Sequence, residues 1–204
     1  MFNRSFVTEF ILLEFSDIQE LQIFYFVAFF IIYLIALIGN LLVIIVVAFN
    51  EGLHTPMYFF LGNLSTVDLG YISVIIPKAM ANALFATSLI SYPECVAQLF
   101  FFLLLVSSEF YLLTVMAYDR FVAICNPLQY ERIMNKVFCI QMVAIAWIAG
   151  LINAIVHTSC TFGVTFCFNV IKQFFCEIPQ LLRLTCSNSY IPEGGAVMFS
   201  ALWL

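Results

Sequence analysis

Asn40, Asp68 and Glu109 are polar side chains set inside otherwise apolar sequence. Counted at about 1.5 Å per helical residue from Asn50, Pro56 and Arg120, they lie roughly 15, 18 and 16 Å in, at one depth. Two carboxylates and an amide on one level of a bilayer are costly unless they face one another. Together they could hold a sodium ion, share a proton, or form a protonated, hydrogen-bonded structural cluster, and these readings stand side by side. Asp119-Arg120 is a second chemical feature, an acid–base pair at the end of a long apolar run. An arginine there can snorkel to water and still touch whatever docks at that face. The cysteines are the third: Cys95, Cys160, Cys167, Cys176 and Cys186 could cross-link in an oxidising compartment, while Cys125 and Cys139 are expected to remain thiols. Enzyme chemistry is missing. His54 and His157 are solitary, and the chain has no phosphate-cradling glycine loop, H-E-x-x-H or nucleophile elbow. With no C-x-x-C pair or histidine couplet, neither catalysis nor a metal is expected.

The elements that must position these groups follow from composition. Hydrophobic residues make up 64% of the 204 and charged residues 9%, far from the near-half apolar, quarter-charged balance of a soluble domain. No basic run suggests nucleic acid. Ile23 to Phe49 carries no charge and is long enough to cross a hydrocarbon core of about 30 Å. Further spans are expected over 57–84, with Pro77 inside it, over 96–118, and over 137–156 with Asn135 as its cap. Thr55-Pro56 reads as an N-cap followed by proline at the first helical position. A fifth apolar run, the stub 196–204, is shorter than the roughly 20 residues a crossing needs, so the sequence reads as cut short.

Lysine and arginine set the expected orientation. Arg120, Arg132 and Lys136 flank the link between the third and fourth spans, whereas Arg4 stands against Glu9, Glu14, Asp17 and Glu20 near the start. The positive-inside rule places that link in the cytoplasm and the N-terminus outside. Residues 1–22 then form an extracellular segment, and Asn3-Arg4-Ser5 is a glycosylation sequon on that side. The connection from His157 to Gly195 is outer, and too long to be structureless unless functional or stapled.

Met116-Ala117-Tyr118-Asp119-Arg120-Phe121-Val122-Ala123-Ile124-Cys125-Asn126-Pro127-Leu128-Gln129-Tyr130 closely resembles the signature that ends the third helix of rhodopsin-like G-protein-coupled receptors, in the long form peculiar to olfactory receptors. Phe121 stands where that family usually has tyrosine. Gly39-Asn40, Leu64-Ser65-Thr66-Val67-Asp68, Leu53-His54-Thr55-Pro56-Met57-Tyr58-Phe59-Phe60-Leu61, Pro77-Lys78, Glu109 and Trp147 match further marks of the family. Gln173-Phe174-Phe175-Cys176-Glu177-Ile178-Pro179 is similar to its second extracellular loop, with Gln173 in place of a histidine implicated there in copper or zinc binding. The pairing of the outer cysteines is open from sequence; the resemblance implies Cys95–Cys176 and Cys167–Cys186.

The resemblance implies an all-α membrane protein, a rhodopsin-like seven-helix bundle of which four helices and the start of a fifth fall within 23–204. It implies a plasma-membrane receptor that binds small volatile odorants from outside and activates a stimulatory heterotrimeric G protein through Asp119, Arg120 and Phe121. The inner site of Asn40, Asp68 and Glu109 would hold sodium, with no other cofactor. Phe102, Leu103, Val106 and Ser107, which share one apolar helical face carrying a single hydroxyl, are the candidate odorant wall. An incomplete, signalling-incompetent portion retained in the endoplasmic reticulum is expected of the chain as printed. Its rivals are a truncated, pseudogene-type product and a small ion or proton transporter using Asp68 and Glu109.

Overall fold

The computed structural model describes residues 8–12, 19–85 and 89–186. In chain order its elements are β1 (Glu9–Ile11), α1 (Gln19–Phe49), α2 (Pro56–Phe85), β2 (Leu89–Ser91), α3 (Tyr92–Cys125), α4 (Tyr130–Ile133), α5 (Lys136–Phe162) and α6 (Ile178–Arg183). Short 3-10 turns occupy Glu51–Leu53 and Pro127–Gln129. Four helices, α1, α2, α3 and α5, are long and apolar enough to cross a membrane. Helices are the outcome because a segment in hydrocarbon must satisfy every backbone N–H and C=O internally. All four expected spans are helical, and each extends beyond its apolar run. α2 begins at Pro56, where the missing N–H is no loss, and it passes through Pro77 without ending. At the start of α5 the Asn135 side chain accepts from the Phe138 N–H at 2.9 Å, the expected cap.

Two expectations are corrected. α3 continues past Arg120 to Cys125, so the acid–base pair lies inside the helix, not at its end. α5 runs to Phe162 and takes in His157 and Cys160, so the outer connection is shorter than the sequence suggested and Cys160 is a helical residue. Asn3 and the run 196–204 lie outside the described residues.

The chain forms two compact units. One comprises 1–32, 74–102 and 154–204. In it β1 pairs antiparallel with β2 in the register Glu9↔Ser91, Phe10↔Ile90 and Ile11↔Leu89. Ile11 also donates to Asn169 and accepts from Ile171, at 2.7 and 2.8 Å, which extends the pairing to the segment after α5. Phe10 is fully buried, stacked 6.1 Å from Tyr92 and edge-on at 5.5 Å to Phe166. These aromatic contacts fix the small sheet, which would be marginal alone.

The other unit comprises 33–73 and 103–153. Its core includes Phe60, Val67, Leu112, Val115, Val143 and Ala146. The helices approach closely where side chains are small. A Cβ on Gly70 would lie 2.9 Å from Leu105 Cδ2, and one on Gly150 would lie 2.9 Å from the Leu104 carbonyl oxygen and collide with Ser108 Oγ. Close backbone approach of this kind brings neighbouring helices together in lipid, where no hydrophobic force does so.

Candidate functional site

The C-terminal part of α3 separates the two members of the Asp-Arg pair. Successive residues on a helix point about 100° apart. Asp119 is 1% exposed, whereas Arg120 is exposed. No ion pair joins them among the described residues. The partner of the acid is instead the Tyr130 hydroxyl, which donates to Asp119 Oδ1 at 2.8 Å. Tyr130 is brought there by the turn at Pro127–Gln129, in which Gln129 N–H donates to the Asn126 carbonyl, followed by the first residue of α4. Burial, together with the hydrogen bond to and negative charge of Asp119, pushes the Tyr130 phenol up to about 12. Tyr130 belongs to the string that carries the resemblance, yet nothing in its spacing from Asp119 marked it as the acid's partner.

The inner polar level is only partly assembled. Asp68 and Glu109 are half-buried. Neither has a cationic partner among the described residues. Asn40 turns its amide nitrogen to the Ala36 carbonyl of its own helix at 3.0 Å.

The residues of the candidate odorant wall have distinct surroundings. Phe102 lies 5.9 Å, ring to ring, from Phe175, the neighbour of Cys176. Leu103 and Ser107 are half-buried and Val106 is 37% exposed. Ser107 Oγ accepts from Asn153 Nδ2 at 2.7 Å, an interaction that orients the hydroxyl and leaves it able to donate. Asn153 carries no sequence motif.

Two disulfides hold the segment after α5. Cys95–Cys176 ties the first turn of α3 to it, and Cys167–Cys186 closes a loop within it. Gln98, one turn after Cys95, accepts from the Cys176 N–H at 3.1 Å. Cys125, Cys139 and Cys160 are free thiols. Among the described residues no group of three or more His, Cys, Asp or Glu could hold a metal ion.

Four apolar spanning helices, a disulfide from the start of the third to the following loop, and an Asp-Arg couple near its end define a polytopic helical membrane protein of receptor type. Residues 39–202 match the family described as 7 transmembrane receptor (rhodopsin family), and the chain belongs to that family, in its olfactory branch. It is 48% identical to mouse "Olfactory receptor 5AR1" over 94% of its length, 44% identical to human "Olfactory receptor 14A16" over 99%, and 48% identical to human "Olfactory receptor 13A1" over all of it. The chain spans 62%, 66% and 62% of those three proteins. Receptors of this family are not enzymes and use no cofactor.

Proposed function

We propose that this sequence supplies the N-terminal part of an odorant receptor that detects small volatile ligands and activates a stimulatory heterotrimeric G protein. The observation that carries the reading is the bond from Tyr130 to Asp119. With the acid satisfied by a phenol, the Arg120 guanidinium is left exposed at the membrane edge, with no ion-pair partner among the described residues. A planar cation with five donors suits carbonyl and carboxylate groups of a docking protein. Asp119 and Phe121 flank it as parts of the same switch.

The names of the relatives supply the ligand class, and Phe102, Leu103, Val106 and Ser107 on α3 are proposed to contact the odorant. Asp68 and Glu109, with Asn40 near them in depth, are proposed to take a sodium ion or a shared proton. Residues 1–22 are extracellular in this reading, 23–204 belong to the receptor domain, and the whole receptor resides in the plasma membrane. Glycosidase sensitivity lost on Asn3→Gln would support that orientation; an unglycosylated N-terminus protected in the cytosol would reverse it.

The test is odorant-dependent cyclic AMP in cells expressing a full-length receptor that carries this sequence. Arg120→Ala should abolish the response while surface expression and odorant binding persist. An undiminished response in Arg120→Ala would overturn the assignment.

A further inference from the structure

Three residues on one stripe of α3 hold two neighbouring residues of the loop that follows α5. Cys95, Gln98 and Phe102 stand at i, i+3 and i+7, so their side chains leave the helix on the same side. Cys95 is bonded covalently to Cys176, Gln98 Oε1 accepts from the Cys176 N–H at 3.1 Å, and the Phe102 ring lies 5.9 Å from that of Phe175. All five belong to one compact unit. The other end of the Gln98 amide reaches α2 in that unit, where Nε2 donates to the Val74 carbonyl at 3.5 Å. Gln98 is 8% exposed and Cys176 is fully buried. An amide this deep, with its acceptor given to the loop and a donor to a neighbouring helix, is fixed in place by both bonds.

The disulfide by itself does not fix the loop backbone. It joins two sulfur atoms through several rotatable bonds, and the peptide planes on either side of Cys176 can still turn. The N–H that Gln98 holds belongs to the planar peptide linking Phe175 to Cys176, and that plane also contains the Phe175 Cα. Pinning the plane narrows the directions in which the Phe175 side chain can leave the backbone. A buried N–H needs an acceptor in any case. Because that acceptor is Gln98, the same bond also decides where an aromatic ring sits.

We propose that Gln98 is a positioning residue for odorant recognition: it latches the Phe175–Cys176 peptide to α2 and α3, holds the Phe175 ring beside Phe102, and so limits the size of odorant admitted there. The proposal rests on the reading of Phe102 as part of the odorant wall. Gln98 does not touch the odorant; it acts through Phe175. Without it the ring can swing, and the site loses size selectivity before it loses response.

The experiment uses a full-length receptor that carries this sequence, and its first arm needs no odorant. Amide hydrogen exchange at Cys176 in the purified receptor should quicken roughly fivefold in Gln98→Met, which keeps the volume and removes both bonds. Gln98→Asn, whose amide is too short to reach, should do likewise, whereas Gln98→Glu keeps an acceptor oxygen and should restore protection. Peptide mapping of Cys95–Cys176 in each variant separates a freed peptide from a broken disulfide. In the second arm a panel of volatile odorants identifies the strongest agonist by cyclic AMP, and its shorter and longer homologues are then compared. Gln98→Met should bring the half-maximal concentrations of the longer homologues several-fold closer to that of the best one, with the maximal response unchanged. Phe175→Ala should do the same, and the double variant should go no further, because both changes remove one restraint. Wild-type exchange at Cys176 in both Gln98→Met and Gln98→Asn would overturn the proposal. So would an even loss of potency across all lengths, or effects of Gln98→Met and Phe175→Ala that add. Quickened exchange in a receptor silent to the whole panel would instead overturn the odorant reading, leaving Gln98 as a latch of the loop alone.

Discussion

Tyr130 Oη donates a 2.8 Å hydrogen bond to Asp119, a carboxylate only 1% exposed, so a residue of the α3–α5 connection caps the acid of the Asp-Arg couple. Tyr130→Phe removes the donor and leaves the buried acid without it. A loss of about 1–3 kcal/mol is expected, read as a lower midpoint of thermal unfolding in detergent. An unchanged midpoint would mean that water replaces the phenol.

The same bond has a pH signature. An ordinary tyrosine ionises near 10, and Tyr130 is pushed up to about 12. The folded protein therefore holds a proton that the unfolded chain releases. The stabilisation is complete below about pH 10 and is lost as pH rises through about 12. Phenolate absorbance should show one tyrosine titrating late, and that late component should vanish in Tyr130→Phe.

The two disulfides should differ in weight. Cys95–Cys176 spans a sequence separation of 81 and Cys167–Cys186 one of 19. On loop entropy alone their removal costs about 4.5 and about 3 kcal/mol respectively. Paired alanine substitutions compared by unfolding midpoint should give that order. Non-reducing peptide mapping of the wild type should recover the two pairs without exchange.

Gly150 and Gly39 offer a matched contrast. A Cβ at Gly150 meets Ser108 Oγ and the Leu104 carbonyl, whereas nothing lies within 4 Å of one at Gly39. Gly150→Ala should destabilise by about 1–3 kcal/mol, because a backbone oxygen cannot move aside as a side chain can. Gly39→Ala should be neutral or gain up to about 1 kcal/mol from helix propensity. Equal effects would show that α3 and α5 can separate without cost.

Asp68 and Glu109 are half-buried acids of the same compact unit. In a full-length receptor carrying this sequence, Asp68→Asn and Glu109→Gln should each alter the sodium dependence of odorant-driven cyclic AMP. The double variant should depart from the sum of the singles, since removing one charge changes what the other feels. Strict additivity with no ion dependence would leave two independent structural carboxyls.

The sequence by itself determined the four spanning helices, because a bilayer demands apolar length and internal hydrogen bonding, and both are properties of one continuous segment. It also carried the family, through strings such as Met116–Tyr130, and the local caps at Pro56 and Asn135. Helix ends were less legible: α3 and α5 run on into polar sequence, since a helix stops for lack of backbone partners and not where hydropathy falls. Only the tertiary structure decided which groups meet. It paired β1 with β2 across α1 and α2, turned Asn40 to its own helix, and joined Asn153 to Ser107. It also selected Tyr130 over Arg120 for Asp119 and two cysteine pairs from five outer candidates. These contacts depend on where the chain returns in space, and helical or strand periodicity carries no record of that.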